Sequence, residues 1–364
     1  RRSATQEANP NNPHALMYIA SRANIPASFP TWFSIANFLL NSSSTKLYSK
    51  GKPGVYVSKT GWIDANASGT PTSGFIRISI GVEDFGQDIM LLINRKQTKK
   101  EIYRVVKESR ELGYTSVNFD LIFGLPRQTI NHILTNIEHL QQLRPERIAF
   151  YSYALVPWKS PSQRAYADTD LPRGADQRAL YETGKRFLEE MGYEEIGFDH
   201  FALPQDELLI AAKAKRLHRN FMGYTPHDTR LNLAFGVSGI SDSWSAYVQN
   251  EKKIESYRER ITKGELPLIK GYLLNSEEQI IRRHILNIMC KESTCWLHPA
   301  RQCDDLYTGL ERLEEMEIDG LVQIDDHCLK VLSAGRPFLR NICLAFDQYY
   351  WRDKVGVGRF SEVV

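Results

Sequence analysis

The sequence predicts an α/β fold in which strands and helices alternate around a largely parallel sheet, followed by a smaller helical region. Two observations carry this. Short β-rich runs recur at 76–80, 116–122, 147–153, 194–198 and 233–238 with helical patterns between them, the order that a parallel sheet with outer helices requires, whether open or part of a barrel. Beyond residue 262 helical periodicity dominates at 276–290, 303–318 and 334–351, interrupted by a hairpin-like stretch at 319–332; helices followed by a short two-stranded wing resemble a winged-helix appendage.

Residues 1–73 differ in texture from the rest of the chain. Asn, Ser, Thr, Pro and Gly are frequent and only 32–41 and 54–58 carry regular patterns, which reads as a poorly ordered lead-in. From Gly74 the pattern is regular. Residues 87–112 space Ile89, Leu92, Ile93, Ile102, Val105, Val106, Ser109 and Leu112 mostly three or four apart, with Gly113 as the stop, predicting one helix. Thr129 to Leu143 ends before Pro145 in the same manner. The expected organisation is a lead-in over 1–73, an α/β region over 74–262 and a helical region over 263–364.

The chain of 364 residues is long enough for one large α/β domain and an appendage. Its 42% hydrophobic and 24% charged residues and net charge of +3 match an ordinary soluble protein. No polybasic tract or basic stripe marks a nucleic-acid partner. The longest apolar run, Trp32 to Leu40, is about half of a bilayer span, and the first residues lack an apolar signal core, so no membrane partner and a cytoplasmic location are expected. The five cysteines, Cys290, Cys295, Cys303, Cys328 and Cys343, form neither a regular framework nor a CxxC pair and are expected to be reduced, mostly buried thiols.

Chemistry-bearing residues gather in three places. The segment NFDLIFGLPRQT ends a strand with Asp120 before a Gly-Leu-Pro turn; in β/α barrels the carboxyl-terminal rim holds ligands, while a turn or capping acid is the bland alternative. The segments FDHFA and LHRNFMGY set His200, His218 and Arg219 among aromatic residues, a mixture suited to a flat anionic aromatic ligand or to a satisfied structural network. Arg95, expected on a helix, could reach a carboxylate or simply face solvent. The run Lys213-Ala-Lys215-Arg216 reads as a solvated face. No catalytic residue and no metal ligand is assigned.

Taken together, GFIRISIGVEDF, LLINRKQT, ELGYTSVNFDLIFGLPRQT, RIAFYSYALVP, DHFALP, LHRNFMGYT, GVSGIS and GRPFLRNICLAFD resemble the oxygen-independent coproporphyrinogen III oxidase family of radical S-adenosylmethionine enzymes, colinearly from Gly74 onward. The resemblance implies a partial radical-SAM-type (β/α) barrel, truncated at its N-terminal units, with the winged-helix-like domain behind it. It implies oxidative decarboxylation of two propionates of coproporphyrinogen III to the vinyls of protoporphyrinogen IX in haem biosynthesis, using S-adenosylmethionine, a [4Fe-4S] cluster and an electron donor, with the cofactors supplying the radical chemistry. By position, Glu83, Arg95, Asp120 and Ala154 match family contacts to a second S-adenosylmethionine, and Ile240 a contact to the first. Glu83 stands where the family usually has Gln.

The family's CxxxCxxC motif is missing: no cysteine precedes Cys290, so the cluster's thiolate ligands are not in this chain. The resemblance thus implies an enzyme while the missing motif argues against turnover by this chain. The alternative is a non-catalytic porphyrin- or haem-binding relative. Gly69-Thr70-Pro71-Thr72 stands one residue before Gly74, and two family segments resembling these lie farther apart, so the stretch reads as a joint. A parallel sheet missing its early units would expose an apolar edge, predicting oligomerisation or reduced solubility for the chain taken alone.

Overall fold

A computed structural model describes residues 57–58, 77–155, 163, 165–221, 223–228 and 231–352. Most of the expected lead-in and the 69–74 joint lie outside the described residues. The described chain groups into two compact units, residues up to Ala214 together with those from Tyr349, and Lys215–Gln348; the sequence expectation sets its boundary after residue 262.

The first unit is built on a six-stranded sheet in the order β1-β2-β3-β4-β6-β5. Strands β2 (Arg77–Glu83), β3 (Ser116–Phe123) and β4 (Arg147–Ser152) are parallel, with Ile80 opposite Phe119 and Phe119 opposite Ile148. The expectation of a parallel sheet holds only for these three. Strand β1 (Val57–Ser58) pairs antiparallel with β2, and β6 (His200–Ala202) pairs antiparallel with both β4 and β5 (Glu194–Gly197). The chain reverses between β5 and β6 through Phe198 and Asp199, both at φ 41. A tight two-residue hairpin needs that left-handed backbone, and it places the returning strand antiparallel.

Period-two alternation sorts the faces of β3: Val117, Phe119, Leu121 and Phe123 are buried, while Asn118 and Asp120 point the other way. The buried face joins Ile78, Ile80 and Val82 of β2 and Ile148 and Phe150 of β4 in one core. Three helices cover it: α2 (Lys99–Glu111) through Ile102 and Val106, α3 (Ile130–Leu143) through Ile133, Ile137 and Leu140, and α4 (Ala175–Glu190) through Leu180 and Leu188. Helix α4 approaches the sheet at Gly184, where an added Cβ would lie 2.5 Å from the Phe150 ring.

The helix expected over 87–112 is two helices, α1 (Gln87–Leu92) and α2. Asn94 turns left-handed at φ 57, and Thr98 starts α2 with a capping box, accepting from the Glu101 amide at 3.3 Å while its own amide donates to Glu101 Oε2 at 2.8 Å. The break sets Arg95 and Gln97 on a loop. At the opposite end of the sheet, Arg147 Nε donates to Asp206 at 2.9 Å, and Asp206 caps α5 (Glu207–Lys213) through the Leu208 amide at 2.7 Å.

The second unit holds the hairpin β7 (His218–Asn220) and β8 (Gly223–Thr225), then a four-stranded antiparallel sheet of β9 (Leu231–Asn232), β10 (Ile240–Ser243), β11 (Ala246–Asn250) and β12 (Leu268–Leu273), with α6 (Ile254–Thr262) between β11 and β12. The strand expected at 233–238 is a turn: Gly236 and Ser238 sit at φ 90 and 64, and Asn250 Nδ2 donates to Ala234 O at 3.1 Å and Gly236 O at 2.9 Å. Helix α7 (Ser276–Lys291) leads into a three-stranded sheet of β13 (Ser293–Cys295), β14 (Val322–Ile324) and β15 (Cys328–Val331), with α8 (Asp304–Glu311) and α9 (Glu314–Ile318) intervening. The helices expected over 303–318 and 334–351 are each interrupted, the latter giving a 3-10 turn and then α10 (Leu339–Leu344) and α11 (Gln348–Arg352).

The expectation of five reduced thiols is corrected at one pair. Cys295 and Cys328 face each other across β13 and β15, their Cα atoms 4.1 Å apart, and form a disulfide; their spacing along the chain carries no sign that these two are cross-strand partners. Among the described residues no helix is long and apolar enough to cross a membrane.

Candidate functional site

Polar side chains converge where β2 and β3 run toward their carboxyl-terminal ends, on the face away from the hydrophobic core. Asp120 lies within β3, opposite Gly81 and Ala149, and not at the strand's end as expected. It accepts from Ser79 Oγ at 3.1 Å and from Asn118 Nδ2 at 2.8 Å, while Asn118 also donates to Ser79 Oγ at 2.9 Å. Burial pushes the Asp120 carboxyl above its ordinary range, and the Ser79 and Asn118 hydrogen bonds oppose that shift.

The end of β2 is irregular. Its register with β3 slips between Gly81 and Glu83, a bulge of the kind that re-aims a side chain at a sheet's rim. Glu83 takes φ 63, and the Asp84 amide reaches back to Val82 O at 2.8 Å to close a tight turn around it. A non-glycine residue there stores roughly 1–3 kcal/mol of backbone strain, so the surroundings must hold it. They do so from the loop between α1 and α2: Arg95 donates to Glu83 in an ion pair, and Gln97 Nε2 donates to Gly81 O at 2.9 Å and Val82 O at 3.1 Å.

Glu83 is only 9% exposed. Burial raises its carboxyl pKa first, the nearby Asp120 charge adds to the rise, and Arg95 opposes it. Two carboxylates and one guanidinium therefore share this rim. Such a set can meet a cationic ligand through Asp120 and a carboxylate through Arg95.

A second layer holds these turns in place. Asp84, buried at the start of the loop after β2, accepts from Gln128 Nε2 at 2.8 Å and Asn136 Nδ2 at 2.9 Å. Gln128 Oε1 in turn accepts from the Gly124 amide at 2.7 Å, and Asn136 Oδ1 accepts from the Phe85 amide at 2.8 Å. Burial raises the Asp84 carboxyl, with Asn136, the Gly86 amide and Gln128 resisting. Ala154 follows β4 and is exposed, its carbonyl accepting from Gln163 Nε2 at 3.1 Å. The adjacent Tyr153 hydroxyl pairs with that of Tyr166, and burial drives the Tyr153 pKa upward.

The remaining candidates stand elsewhere. His200 on β6 meets the Tyr151 hydroxyl through Nε2 at 3.3 Å. In the second unit His218 faces Asp228 at 3.6 Å, and burial lowers its pKa against the pull of Asp228. Arg219 lies over the Tyr224 ring at 4.8 Å. Ile240 begins β10, half-buried and opposite Gln249. Lys213 to Arg216 are largely exposed, in keeping with a solvated face. Ser79 and Asn118 were legible in principle, because two-residue periodicity puts them on the Asp120 face. Asp84, Gln97 and Gln128 lie within the family-like segments GVEDF, LLINRKQT and GLPRQT, but no pattern there shows what they contact, and nothing in the sequence marks Asn136.

Among the described residues no group of three or more His, Cys, Asp or Glu is placed to hold a metal ion. Thiolates are what bind iron–sulfur clusters, and this chain's cysteines do not fit that role. Two are joined in a disulfide, burial pushes the Cys290 thiol up to about 12, and Cys343 is driven up by complete burial.

Comparison with known proteins gives a consistent set of relatives. The chain is 36% identical over 296 residues to the oxygen-independent coproporphyrinogen III oxidase of Escherichia coli (strain K12), covering 80% of this chain and 65% of that protein. It is 36% identical over 282 residues to the protein of the same name from Thermostichus vulcanus, covering 76% of this chain and 87% of that relative. A solved structure titled "Coproporphyrinogen III oxidase (HemN) from Escherichia coli is a Radical SAM enzyme" superposes with a TM-score of 0.68 at 35% identity, covering 76% of this chain and 65% of that one. The chain thus spans about two thirds of the length of the Escherichia coli relative. No family model matches.

Proposed function

The chain belongs to the oxygen-independent coproporphyrinogen III oxidase family, and from that premise we propose that it serves the oxygen-independent conversion of coproporphyrinogen III to protoporphyrinogen IX. In that reaction each of two propionates loses a hydrogen atom, one further electron and carbon dioxide to leave a vinyl, and this two-electron oxidation is balanced by reductive cleavage of one S-adenosylmethionine per propionate to methionine and 5′-deoxyadenosine. The part assigned to this chain is to bind S-adenosylmethionine and the tetrapyrrole. One observation carries the reading: Arg95 is ion-paired with Glu83 at the end of β2, and Asp120, opposite Gly81 on the neighbouring strand, is near enough for its charge to raise the Glu83 pKa.

On this reading Asp120 meets the ligand's ammonium group, Arg95 its carboxylate, and the exposed Ala154 lines the same rim. Ile240 is a proposed contact to a separate S-adenosylmethionine. His200, His218 and Arg219 are each proposed contacts to tetrapyrrole carboxylates, which cationic and hydrogen-bonding side chains suit. The first unit is read as a truncated barrel and residues 263–364 as a winged-helix-like domain, supported by the helix, strand, helix and hairpin order of that region. A cytoplasmic location accords with these roles. Because the chain's thiols do not fit a [4Fe-4S] cluster, no step is drawn through one.

Calorimetric titration tests the assignment. S-adenosylmethionine and coproporphyrin III are each expected to bind the purified chain, and Asp120→Ala to remove the S-adenosylmethionine bound at this rim, lowering the stoichiometry by one, while sparing coproporphyrin III. Failure of both ligands to bind would overturn the reading.

A further inference from the structure

We propose that Glu83 is a specificity-determining residue that competes with the ligand's carboxylate for Arg95, so that this rim favours a ligand carrying positive charge without a free carboxylate. The inference rests on the assignment of the rim to S-adenosylmethionine and adds to it which part of that molecule the chain disfavours.

S-adenosylmethionine carries a sulfonium, an ammonium and a carboxylate. Of the charged groups at the rim, Asp120 suits a cation, and Arg95 is the group that would take the carboxylate. Yet Arg95 is already engaged by Glu83, whose side chain is 11% exposed against 26% for Arg95. A ligand carboxylate reaching the guanidinium must displace Glu83 or share the cation with it. Displacement leaves a buried anion beside Asp120 with its partner withdrawn, which is costly in a poorly solvated place.

Glu83 is not free to swing away. The turn closed by Asp84 on Val82 fixes its backbone at φ 63, and Gln97 pins the two preceding carbonyls. Gln97 itself is 2% exposed, and its Oε1 has no hydrogen-bond partner among the described residues.

The experiment compares S-adenosylmethionine with its decarboxylated analogue by calorimetry on the full chain and on Glu83→Gln, which keeps the shape and removes the charge. Glu83→Gln should tighten S-adenosylmethionine about tenfold and leave the decarboxylated analogue unchanged or weaker, as expected for freeing one charge-assisted contact. The double variant Glu83→Gln/Arg95→Gln should lose the gain for S-adenosylmethionine, and its circular dichroism shows whether the rim still folds. An unchanged preference between the two ligands in Glu83→Gln, with both binding, overturns the role of Glu83 while leaving the site assignment standing. Absence of binding by either ligand to either protein overturns the site assignment and this inference with it.

Discussion

Gln128 donates from Nε2 to Asp84 Oδ2 at 2.8 Å, tying the turn after β3 to the turn after β2. Both residues are buried, and Asp84 also receives Asn136. The candidate rim is thus supported from beneath by a small polar network whose members have little access to water. Removing the acceptor should therefore cost more than the bonds themselves are worth. Asp84→Ala is expected to destabilise the first unit by about 2–4 kcal/mol, because the buried Asn136 amide and the Gly86 N–H lose this acceptor while Gln128 Nε2 keeps only Ile122 O. Asp84→Asn should cost less. Urea unfolding followed by circular dichroism checks both, and equal, small effects would count against the network's role.

Asp120 offers a trade between stability and binding. Burial raises its folded-state pKa above the unfolded value, so its contribution to stability is fully present below about pH 3.9 and is lost as pH rises through the folded value. Asp120→Asn removes that loss. The variant should resist urea better at neutral pH by about 1–2 kcal/mol, with a flatter pH profile, while losing the S-adenosylmethionine proposed at this rim. A variant less stable than wild type at neutral pH would refute the burial argument.

His284 contributes to the acid sensitivity of the second unit, as does His218. It is fully buried, with Nδ1 2.8 Å from Thr294 Oγ1 and Nε2 2.8 Å from Arg301 O. These partners suit a neutral ring that donates from Nε2 to the carbonyl and accepts from the hydroxyl at Nδ1. Burial lowers its pKa, so its stabilisation is present above the unfolded value of about 6.5 and disappears as pH falls through the lower folded value. Between about pH 7.5 and 5 the wild type should lose about 1–2 kcal/mol that His284→Gln does not lose. Urea midpoints of the two proteins across that range decide it.

The Cys295–Cys328 bond closes a loop with a sequence separation of 33. A peptide map without reductant should recover these two cysteines cross-linked, leaving Cys290, Cys303 and Cys343 alkylatable after unfolding. Reduction should then destabilise the three-stranded sheet by about 3–4 kcal/mol through the regained freedom of the unfolded loop. Hydrogen exchange in peptides covering 293–331 reports that change, and a map showing five free thiols would remove the bond from consideration.

Elements dominated by periodicity are legible in the sequence alone. Strand 116–123 and helix 130–143 alternate or repeat cleanly and end on turn residues. What escapes are places where side chains override the pattern. The break between α1 and α2 depends on Thr98 and Glu101 capping each other, and the turn at 233–238 depends on Asn250 reaching back from β11. Apolar residues in LAFGV look like a strand because nothing local announces that distant amide. The same holds for the site. Asp120 and Arg95 stand out as charged residues near turns, but their meeting with Glu83 follows from the Gly81–Glu83 bulge, which is a property of two paired strands and not of either alone.

The antiparallel strands that flank β2, β3 and β4 limit what the sheet can present. Among the described residues three neighbouring strands deliver their carboxyl-terminal ends to the same rim, since β1 on one side and β6 on the other run the opposite way. At the usual spacing of about 4.8 Å between strands, that rim is about 10 Å wide. Anything laid across all three strand ends and wider than that must overhang onto the connecting loops.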